Sequence, residues 1–350
     1  MKRENIRKIQ ALISVALFVA IFCASYTVIA PIFEEKLYEQ DRLHTFFKQK
    51  NDSLDIVFVG TSHLYYGISP MRLWKDHGIS SFVAASPSQG VPCSYYLIKE
   101  AIHEQHPRLI VMDAYYLVHN IYARSKERLH EVVDPMPLTS KVRYEMIRDI
   151  VPNVKGEENE YSFYFTLGLY HSRWEVLKRS DFYPEYQFLK GVVLDEQNDT
   201  VKIKSMPETK TKIPKIPRKY LKKIISICNA NGVKLLLVSI PYDHRNIGRH
   251  MKIYRHIEDQ AQRGKFDYIN FFRSQNGIEW DYNRDFKEDY HLNALGAVKL
   301  TDYMSSYIDE HYDIPDHRGE KEYGSWDVDY EQYKIYEKSI IHNTLMNCEK

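Results

Sequence analysis

The chain has 350 residues, of which 44% are hydrophobic and 27% are charged, and its formal net charge is +1. This length and composition are typical of a globular protein that buries one sizeable core. A charge so close to zero, without a basic stripe, argues against a nucleic-acid partner, because phosphate binding needs clustered Lys and Arg side chains.

The first predicted element is a membrane anchor. Four basic residues lie in "MKRENIRK", and an uncharged run follows over residues 11–33, which is about the 20 residues needed to cross a bilayer. The flank after it, "EEKLYEQD", is acidic, so the positive-inside rule predicts a cytoplasmic N-terminus and an extracellular chain beyond about residue 34. A cleaved signal peptide is the alternative, but its apolar core would be shorter, about 7 to 15 residues. We therefore expect an uncleaved anchor within residues 1–34 of a single-pass protein of the cell membrane.

Beyond the anchor, short apolar runs alternate with helical periodicity, the pattern typical of βαβ units and a parallel sheet. An apolar stripe through Leu221 and Cys228 predicts one helix, and a second stripe predicts a last helix over about 294–309. We expect a three-layer α/β/α sandwich around a five-stranded parallel sheet. The predicted strands cover residues 55–59, 81–84, 108–113, 233–239 and 266–271.

Two segments interrupt this alternation. Residues from about 120 to 215 form a predicted insertion between the third and fourth strands, and such insertions at strand ends commonly form lids or walls of binding sites. The chain beyond about residue 311 is polar and aromatic. We therefore expect an α/β domain over residues 35–310 and a tail over 311–350 that packs on its surface.

A serine and a histidine follow the first predicted strand in "VFVGTSH". Ser62 lies between strand and helix, at the edge of the sheet where open parallel sheets bind ligands. Gly60 would permit a tight turn, and the start of the helix offers backbone N–H groups that can hold an oxyanion. The alternative is that Ser62 only caps the helix, a frequent role for serine.

A second motif, "FKEDYHLN", contains Glu288, Asp289 and His291 just before the last helix. A serine hydroxyl needs an imidazole to remove its proton, and the imidazole needs a carboxylate to orient it. The alternatives are a solvated acidic turn and a metal site that also includes Asp285. The metal site is the least favoured, because four such groups within seven residues cannot converge on one ion without a special loop. We expect no metal and no cofactor.

These motifs resemble the first and last sequence blocks of the SGNH (GDSL-type) hydrolase superfamily. "VFVGTSH" is similar to the first block, and "EDYHLN" followed by "GA" is similar to the last, in which an acid precedes the histidine by two or three positions. The chain further resembles membrane-anchored envelope proteins of the DltD type in "GTSHLYYGISPMRLW", "SPSQGVPCSYYLIKEAI", "GLYHSRW", "HLNALGAVKLTDYM" and "IPDHRGEKEYGSW". The resemblance implies a flavodoxin-like α/β/α fold and a Ser-His-acid hydrolase or acyltransferase, often one that acts on acyl groups of envelope polymers.

By position, the resemblance makes Ser62 the nucleophile and His291 the general base. The identity of the triad acid stays open. The superfamily commonly has an aspartate three residues before the histidine, and this chain has Glu288 at that position. Asp289 is two residues before the histidine. Spacing favours Glu288 and residue type favours Asp289. We lean to Asp289, because the shorter carboxylate is the commoner partner in serine triads.

The chain departs from the superfamily in the third block, Gly-x-Asn-Asp, which should lie near "VMDAYYL" and has no asparagine there. An oxyanion hole would then combine the Ser62 N–H with donors from "SPSQG", where Ser88, Gln89 and the Gly90 N–H are the candidates. One missing donor costs on the order of 10²–10³ in rate. A variant oxyanion hole, a slow enzyme and a non-catalytic relative all fit this departure.

Within the insertion, "GLYHSRW" presents Arg173 and Trp174 as candidate substrate-binding residues. Arg173 could hold a carboxylate or phosphate, and Trp174 could stack on a sugar ring. The alternative is an aromatic clasp that fastens the insertion to the sheet.

The favoured hypothesis is a membrane-tethered extracellular serine esterase or O-acyltransferase that acts on a cell-envelope glycan or other acylated polymer. One alternative is an inactive SGNH-fold protein that binds such a polymer or scaffolds its assembly. Another is a metal-dependent hydrolase built on the acidic loop.

Overall fold

The computed structural model describes residues 2–34, 42–156, 159–243, 245–273, 277–288 and 290–349. Its central sheet has five parallel strands in the order β2-β1-β3-β4-β5, which is the flavodoxin-like doubly wound order. The predicted α/β class is confirmed, and each strand lies within one residue of its predicted bounds. The strands are β1 (Ile56–Gly60), β2 (Ser81–Ala85), β3 (Leu109–Asp113), β4 (Lys234–Ser239) and β5 (Asp267–Asn270).

Helices cover both faces of this sheet and form the outer layers. The helices of the described chain, including those that do not lie on the sheet, are α1 (Lys2–Phe33), α2 (Arg42–Phe47), α3 (Ser62–Tyr65), α4 (Pro70–His77), α5 (Val91–Gln105), α6 (Lys126–Val133), α7 (Lys141–Ile150), α8 (Thr166–Tyr170), α9 (Arg179–Phe182), α10 (Lys215–Ala230), α11 (Ile247–Ala261), α12 (Ala294–His311) and α13 (Gly324–Cys348). A small antiparallel hairpin, β6 (Phe286–Lys287) and β7 (His291–Leu292), precedes α12.

Two apolar cores lie on opposite faces of the sheet, because successive side chains of a strand point to opposite sides. Val57 and Val59 of β1 share one core with residues of α5, α10 and α11. Ile56 and Phe58 share the other core with residues of α4 and α12. Every residue of β1, β2 and β3 is buried, as expected for parallel strands covered on both faces.

The residues between β3 and β4 form a helical subassembly held by one buried cation. Arg143 on α7 is fully buried, and its guanidinium donates to the carbonyl oxygens of Val133, Asp134, Met136 and Phe163 at 2.6 to 3.1 Å. The chain then returns along the sheet, where the Val83 N–H donates to the Lys190 carbonyl oxygen.

The C-terminal segment contains a long helix that the sequence analysis did not predict. Trp326 and Tyr333 of α13 are buried, and Trp326 packs against Trp74 of α4 with ring centroids 5.3 Å apart. Arg72 of α4 forms ion pairs with Asp302 of α12 and Glu337 of α13. These contacts join the three helices on one side of the sheet.

Helix α1 extends away from this body. It is long and apolar enough to cross a membrane, and none of its most apolar stretch is buried against the described protein. Burial begins only near its C-terminal end, where Ala30 and Glu34 have 1% and 4% exposure. A core helix of a globular domain would instead be covered by neighbouring elements.

Candidate active site

Ser62 is the first residue of α3, directly after β1 and its cap Thr61. In the sheet, β1 lies between β2 and β3, so the chain reverses its direction of winding at β1. Ligands of doubly wound sheets bind beyond the carboxyl ends of the strands at such a reversal. The sheet topology therefore places Ser62 where a ligand is expected.

The structure brings Ser62, His291 and Glu288 into one hydrogen-bonded chain. Ser62 Oγ lies 2.6 Å from His291 Nε2, and His291 Nδ1 lies 2.6 Å from Glu288 Oε1. A carboxylate can only accept, so Nδ1–H donates to Glu288 and leaves Nε2 to accept the Ser62 hydroxyl proton. Burial lowers the pKa of His291 below its ordinary value of 6.5, and the Glu288 carboxylate opposes this effect. The imidazole is thus neutral at pH 7, the form that a general base requires.

Asn293 fixes the loop that carries the histidine. Its side-chain oxygen caps α12 by accepting from the Leu295 and Gly296 N–H groups, while its amide nitrogen donates to the Arg284 and Phe286 carbonyl oxygens. A Cβ at Gly296 would lie 2.2 Å from the Asp285 carbonyl oxygen, so the loop can approach α12 only at a glycine. The sequence signal for Asn293 was an asparagine directly before a helix, a frequent N-cap.

Glu288 is the carboxylate that contacts His291 in the described part of the chain, and Asp289 lies outside the described residues. The backbone of Glu288 is left-handed, with φ of 50°, a conformation that costs a residue with a side chain about 1–3 kcal/mol. The preceding Lys287 fixes this turn, because its Nζ lies 2.5 Å from Asp195 Oδ2 and 4.3 Å from the centre of the Tyr66 ring.

Asp113, which the sequence analysis did not select, holds the turn that carries the serine. It ends β3 and is buried, and its Oδ2 accepts from the Thr61 N–H at 2.6 Å and the Thr61 hydroxyl at 2.7 Å. Burial raises the pKa of this carboxyl. The sequence signal was an acidic residue at the end of an apolar strand, within the segment "VMDAYYL" that lacks the asparagine of the third block.

Gly60 serves this turn differently from the prediction. Its φ is outside the left-handed region, so the turn does not require glycine for its backbone angles. A Cβ at this position would lie 2.6 Å from Asp113 Oδ2, a separation that real contacts do not show. Gly60 is therefore needed for the space that Asp113 occupies.

The predicted oxyanion donors lie on two adjacent loops of the same edge. The Ser62 N–H opens α3 and has no acceptor within that helix. Gln89 braces the loop after β2, since its Oε1 accepts from Ser86 and its Nε2 donates to Ser94 at 3.0 Å. Ser88 Oγ accepts from Arg124 at 3.3 Å, and a Cβ at Gly90 would lie 2.4 Å from the Tyr122 carbonyl oxygen. Of these groups, the Ser62 N–H is the one adjacent to the hydroxyl.

Aromatic rings surround the imidazole of His291. The rings of Tyr66, His63 and Tyr290 have centroids 4.8, 5.5 and 6.4 Å from it. His63 in turn stacks on Tyr115 at 4.4 Å and meets Tyr242 edge-on. Burial and the neighbouring histidine hold the pKa of His63 well below 6.5, so this ring stays uncharged.

Arg173 and Trp174 lie at the end of helix α1 and not with Ser62 and His291. Arg173 Nη1 donates to the carbonyl oxygens of Phe33 and Glu34, each at 2.6 Å, and Nη2 donates to Asp181 at 2.9 Å. Trp174 is 66% exposed. The guanidinium expected to hold an anionic substrate group is thus engaged with the end of α1.

The acidic loop is not arranged as a metal site in the described residues, where no group of three or more His, Cys, Asp or Glu side chains is placed to hold an ion. Asp285 is buried and lies 2.6 Å from Lys299 Nζ, and it also accepts from the Asp281 N–H. Asp289, the remaining acid of that loop, is outside the described part.

No protein-family model matches the chain, and no curated protein matches it. Among solved structures, the chain is similar to a Bacteroides fragilis protein assigned as an acylhydrolase, with 11% identity over 79% of this chain and 99% of that one and a TM-score of 0.38. It is also similar to a GDSL-like lipase from Bacteroides thetaiotaomicron, with 12% identity, 73% and 88% coverage and a TM-score of 0.35. A third is the esterase EstA from Pseudoalteromonas sp., with 10% identity, 73% and 97% coverage and a TM-score of 0.35. Likenesses this weak carry no inference about activity.

Proposed function

We propose that this chain is a membrane-tethered serine esterase or O-acyltransferase that acts on acyl esters of a cell-envelope polymer. The observation that carries the proposal is the hydrogen-bonded chain from Ser62 Oγ through His291 to Glu288, with 2.6 Å at each step. A serine that only capped its helix would have no need of an oriented imidazole. Here Thr61 supplies the cap of α3, which leaves the Ser62 hydroxyl to His291.

In the proposed reaction, Ser62 Oγ attacks the carbonyl carbon of an ester while His291 Nε2 takes the hydroxyl proton. The Ser62 N–H at the start of α3 donates to the oxyanion that forms. The ester bond then breaks, and His291 returns the proton to the departing alcohol oxygen. Water or a sugar hydroxyl then gives its proton to His291 Nε2 and attacks the carbonyl carbon of the acyl-serine. The bond between that carbon and Ser62 Oγ breaks, and His291 returns the proton to Oγ. General base catalysis of this kind contributes about 10²–10⁴ in rate.

The tether is supported by how the end of α1 is bound. Glu34 Oε2 lies 2.7 Å from His44 Nε2, Glu34 Oε1 accepts from the Thr166 hydroxyl at 2.9 Å, and Arg173 donates to the last carbonyl oxygens of the helix. A leader that is removed during export would not need these specific, buried contacts. The basic start of α1 and the acidic sequence that follows it favour a cytoplasmic N-terminus.

The rings beside the imidazole support a polymer substrate that contains sugars. Tyr115 and Tyr290 of that aromatic cluster are half-buried and can meet a ligand, whereas Tyr66 and Tyr242 are buried behind them. Aromatic faces with hydroxyl groups combine apolar contact area with hydrogen bonding, which suits the faces and hydroxyls of sugar rings.

An active-site-directed fluorophosphonate tests the nucleophile. The full chain, purified in detergent, should be labelled at Ser62, and Ser62→Ala should lose the label. Ser306→Ala is the matched control, because Ser306 lies exposed on α12 and donates only to a carbonyl within that helix. Labelling that survives in Ser62→Ala refutes the nucleophile. Absence of labelling in a folded wild type favours the inactive polymer-binding alternative, and loss of ester turnover upon chelation favours the metal-dependent one.

A further inference from the structure

We propose that an exposed aromatic patch on the insertion lies at the boundary between the headgroups and the hydrocarbon of the membrane that α1 crosses. The patch, called the interfacial patch, consists of Phe165, Leu169, Trp174, Val176, Phe182 and Tyr183. The inference rests on the tether in the proposed function and extends it, because the protein would lie on the bilayer as well as span it.

Exposed apolar side chains are concentrated in this part of the molecule. Outside α1, nine large hydrophobic residues between positions 161 and 186 are exposed, against four in the rest of the described chain. Trp174, Phe182 and Tyr183 have exposures of 66%, 52% and 71%. A concentration of this kind marks an interaction surface, whereas single exposed apolar residues are ordinary.

The interfacial patch is attached to the outer end of α1. Phe165 stacks on Tyr26 with ring centroids 5.3 Å apart, and the Thr166 N–H donates to the Tyr26 hydroxyl oxygen at 2.8 Å. Helix α8, the 3₁₀ helix His171–Glu175 and α9 each pack against α1. The elements that carry the patch therefore move with the anchor.

The depth of Tyr26 follows from helix geometry. A hydrocarbon core about 30 Å thick takes about 20 residues at about 1.5 Å each. Counted from Ala11, where the uncharged run begins, the outer boundary falls near position 30 or 31, about 7 Å beyond Tyr26. Phe165, which contacts Tyr26, is thereby brought to the lipid side of that boundary. Interfacial helices bury their apolar faces by a similar amount, about 5–10 Å.

The chemistry of the patch suits the bilayer surface. Trp and Tyr are enriched at membrane–water interfaces, where an apolar ring lies beside a polar tip. Lys178 and Arg179 lie between Val176 and Phe182 in the sequence, and long basic side chains can extend to headgroups while their stems stay in apolar surroundings. Glu34, which follows α1 in the chain, is buried in protein and bonded to Thr166 and His44.

Fluorescence quenching in vesicles tests this placement. The full chain is reconstituted in phosphatidylcholine vesicles containing a lipid with a nitroxide just below the headgroup. An NBD probe is attached to Trp174→Cys or to the control Ile335→Cys, an apolar position of α13 that is 75% exposed and outside the patch. Both variants carry Cys23→Ser and Cys348→Ser, which leaves Cys93 and Cys228, both buried. We expect at least twofold stronger quenching at position 174 than at position 335.

The native Cys23, exposed on α1, separates the two proposals when it carries the probe in otherwise unlabelled protein. Equal quenching at positions 174 and 335, with Cys23 quenched by a deep nitroxide, overturns the interfacial patch and leaves the tether standing. An unquenched Cys23 overturns the tether and the patch together. As a probe-free check, brominated lipid should quench the tryptophan emission of the unmodified chain more than that of Trp174→Phe, and equal quenching contradicts the proposal.

Discussion

Replacing Glu288 by glutamine removes the charge that faces the imidazole and keeps the shape of the side chain. Two unit charges about 4 Å apart interact by about 1 kcal/mol in water and about 4 kcal/mol at an effective dielectric constant near 20. The His291 side chain is 16% exposed and that of Glu288 is 55% exposed. Because water screens the more exposed partner, we take the lower half of this energy range, about 1–2.5 kcal/mol. Since about 1.4 kcal/mol is tenfold in rate, we expect kcat/KM to fall about 5- to 70-fold. A buried triad acid costs about 10⁴ when removed.

The assay is ester hydrolysis by the full chain in detergent, measured as kcat/KM against pH. In the wild type, activity falls in acid as His291 gains a proton and can no longer accept one from Ser62. Because Glu288 raises the pKa of His291, Glu288→Gln should move this acid limb to lower pH. A substitution that only disturbed the loop would lower the rate without moving the limb.

Glu320→Gln is the matched control for that experiment. Glu320 also pairs with a histidine three positions away, His317, at 3.1 Å and with 52% exposure of its side chain. His317 contacts Asp55, which precedes β1 and so lies at the opposite end of the strand from Ser62. Asp289 would be the acid if Glu288→Gln left kcat/KM and the position of the acid limb unchanged while Asp289→Asn lowered kcat/KM.

Three further predictions concern stability and are measured by unfolding of the full chain in detergent. Gly60→Ala should lower stability by about 1–3 kcal/mol and slow fluorophosphonate labelling, because its Cβ would overlap the Asp113 carboxylate; an unchanged midpoint contradicts this. The pKa of His63 is lower in the folded protein than in the unfolded chain. As the pH falls, the unfolded chain therefore takes up the proton at a higher pH than the folded protein does. As the pH falls below about 6.5, the free energy of unfolding of the wild type should therefore decrease by up to about 1.4 kcal/mol per pH unit more than that of His63→Leu. Parallel plots of unfolding free energy against pH for the two proteins would contradict this. Arg143→Met leaves four buried carbonyl oxygens without their donor and should cost about 3–5 kcal/mol; a loss under 1 kcal/mol would contradict that role.

The sheet could be predicted from the sequence because its strands are buried on both faces. Such strands appear as short continuous apolar runs, for example "LIVMD" and "KLLLVS". Helix α13 could not be predicted this way, since its few buried residues, including Trp326 and Tyr333, are separated by polar and exposed apolar positions. A helix held by a few large aromatic contacts leaves no apolar stripe.

For the candidate site, the sequence selected Ser62 and His291 together, and the structure has them 2.6 Å apart. Their catalytic roles stay predictions. The supporting contacts were beyond sequence reasoning because they join distant positions. Asp113 meets Thr61 across 52 positions, and Arg173 meets Phe33 across 140. Neither pairing follows from a local pattern, and each depends on which elements the fold makes adjacent.

The binding of Glu34 to Thr166 and His44 has a consequence for how the proposed enzyme would find its substrate. Because the helix end is fixed to the body, Ser62 would stay at one distance from the membrane and in one orientation. A flexible linker would instead let the domain sample many distances and orientations. As the protein diffuses in the membrane, Ser62 would then move within one thin layer parallel to the bilayer. An acylated polymer would have to enter that layer to be modified. Removing the contacts of Glu34 with Thr166 and His44 would therefore change where the proposed enzyme acts more than how it reacts.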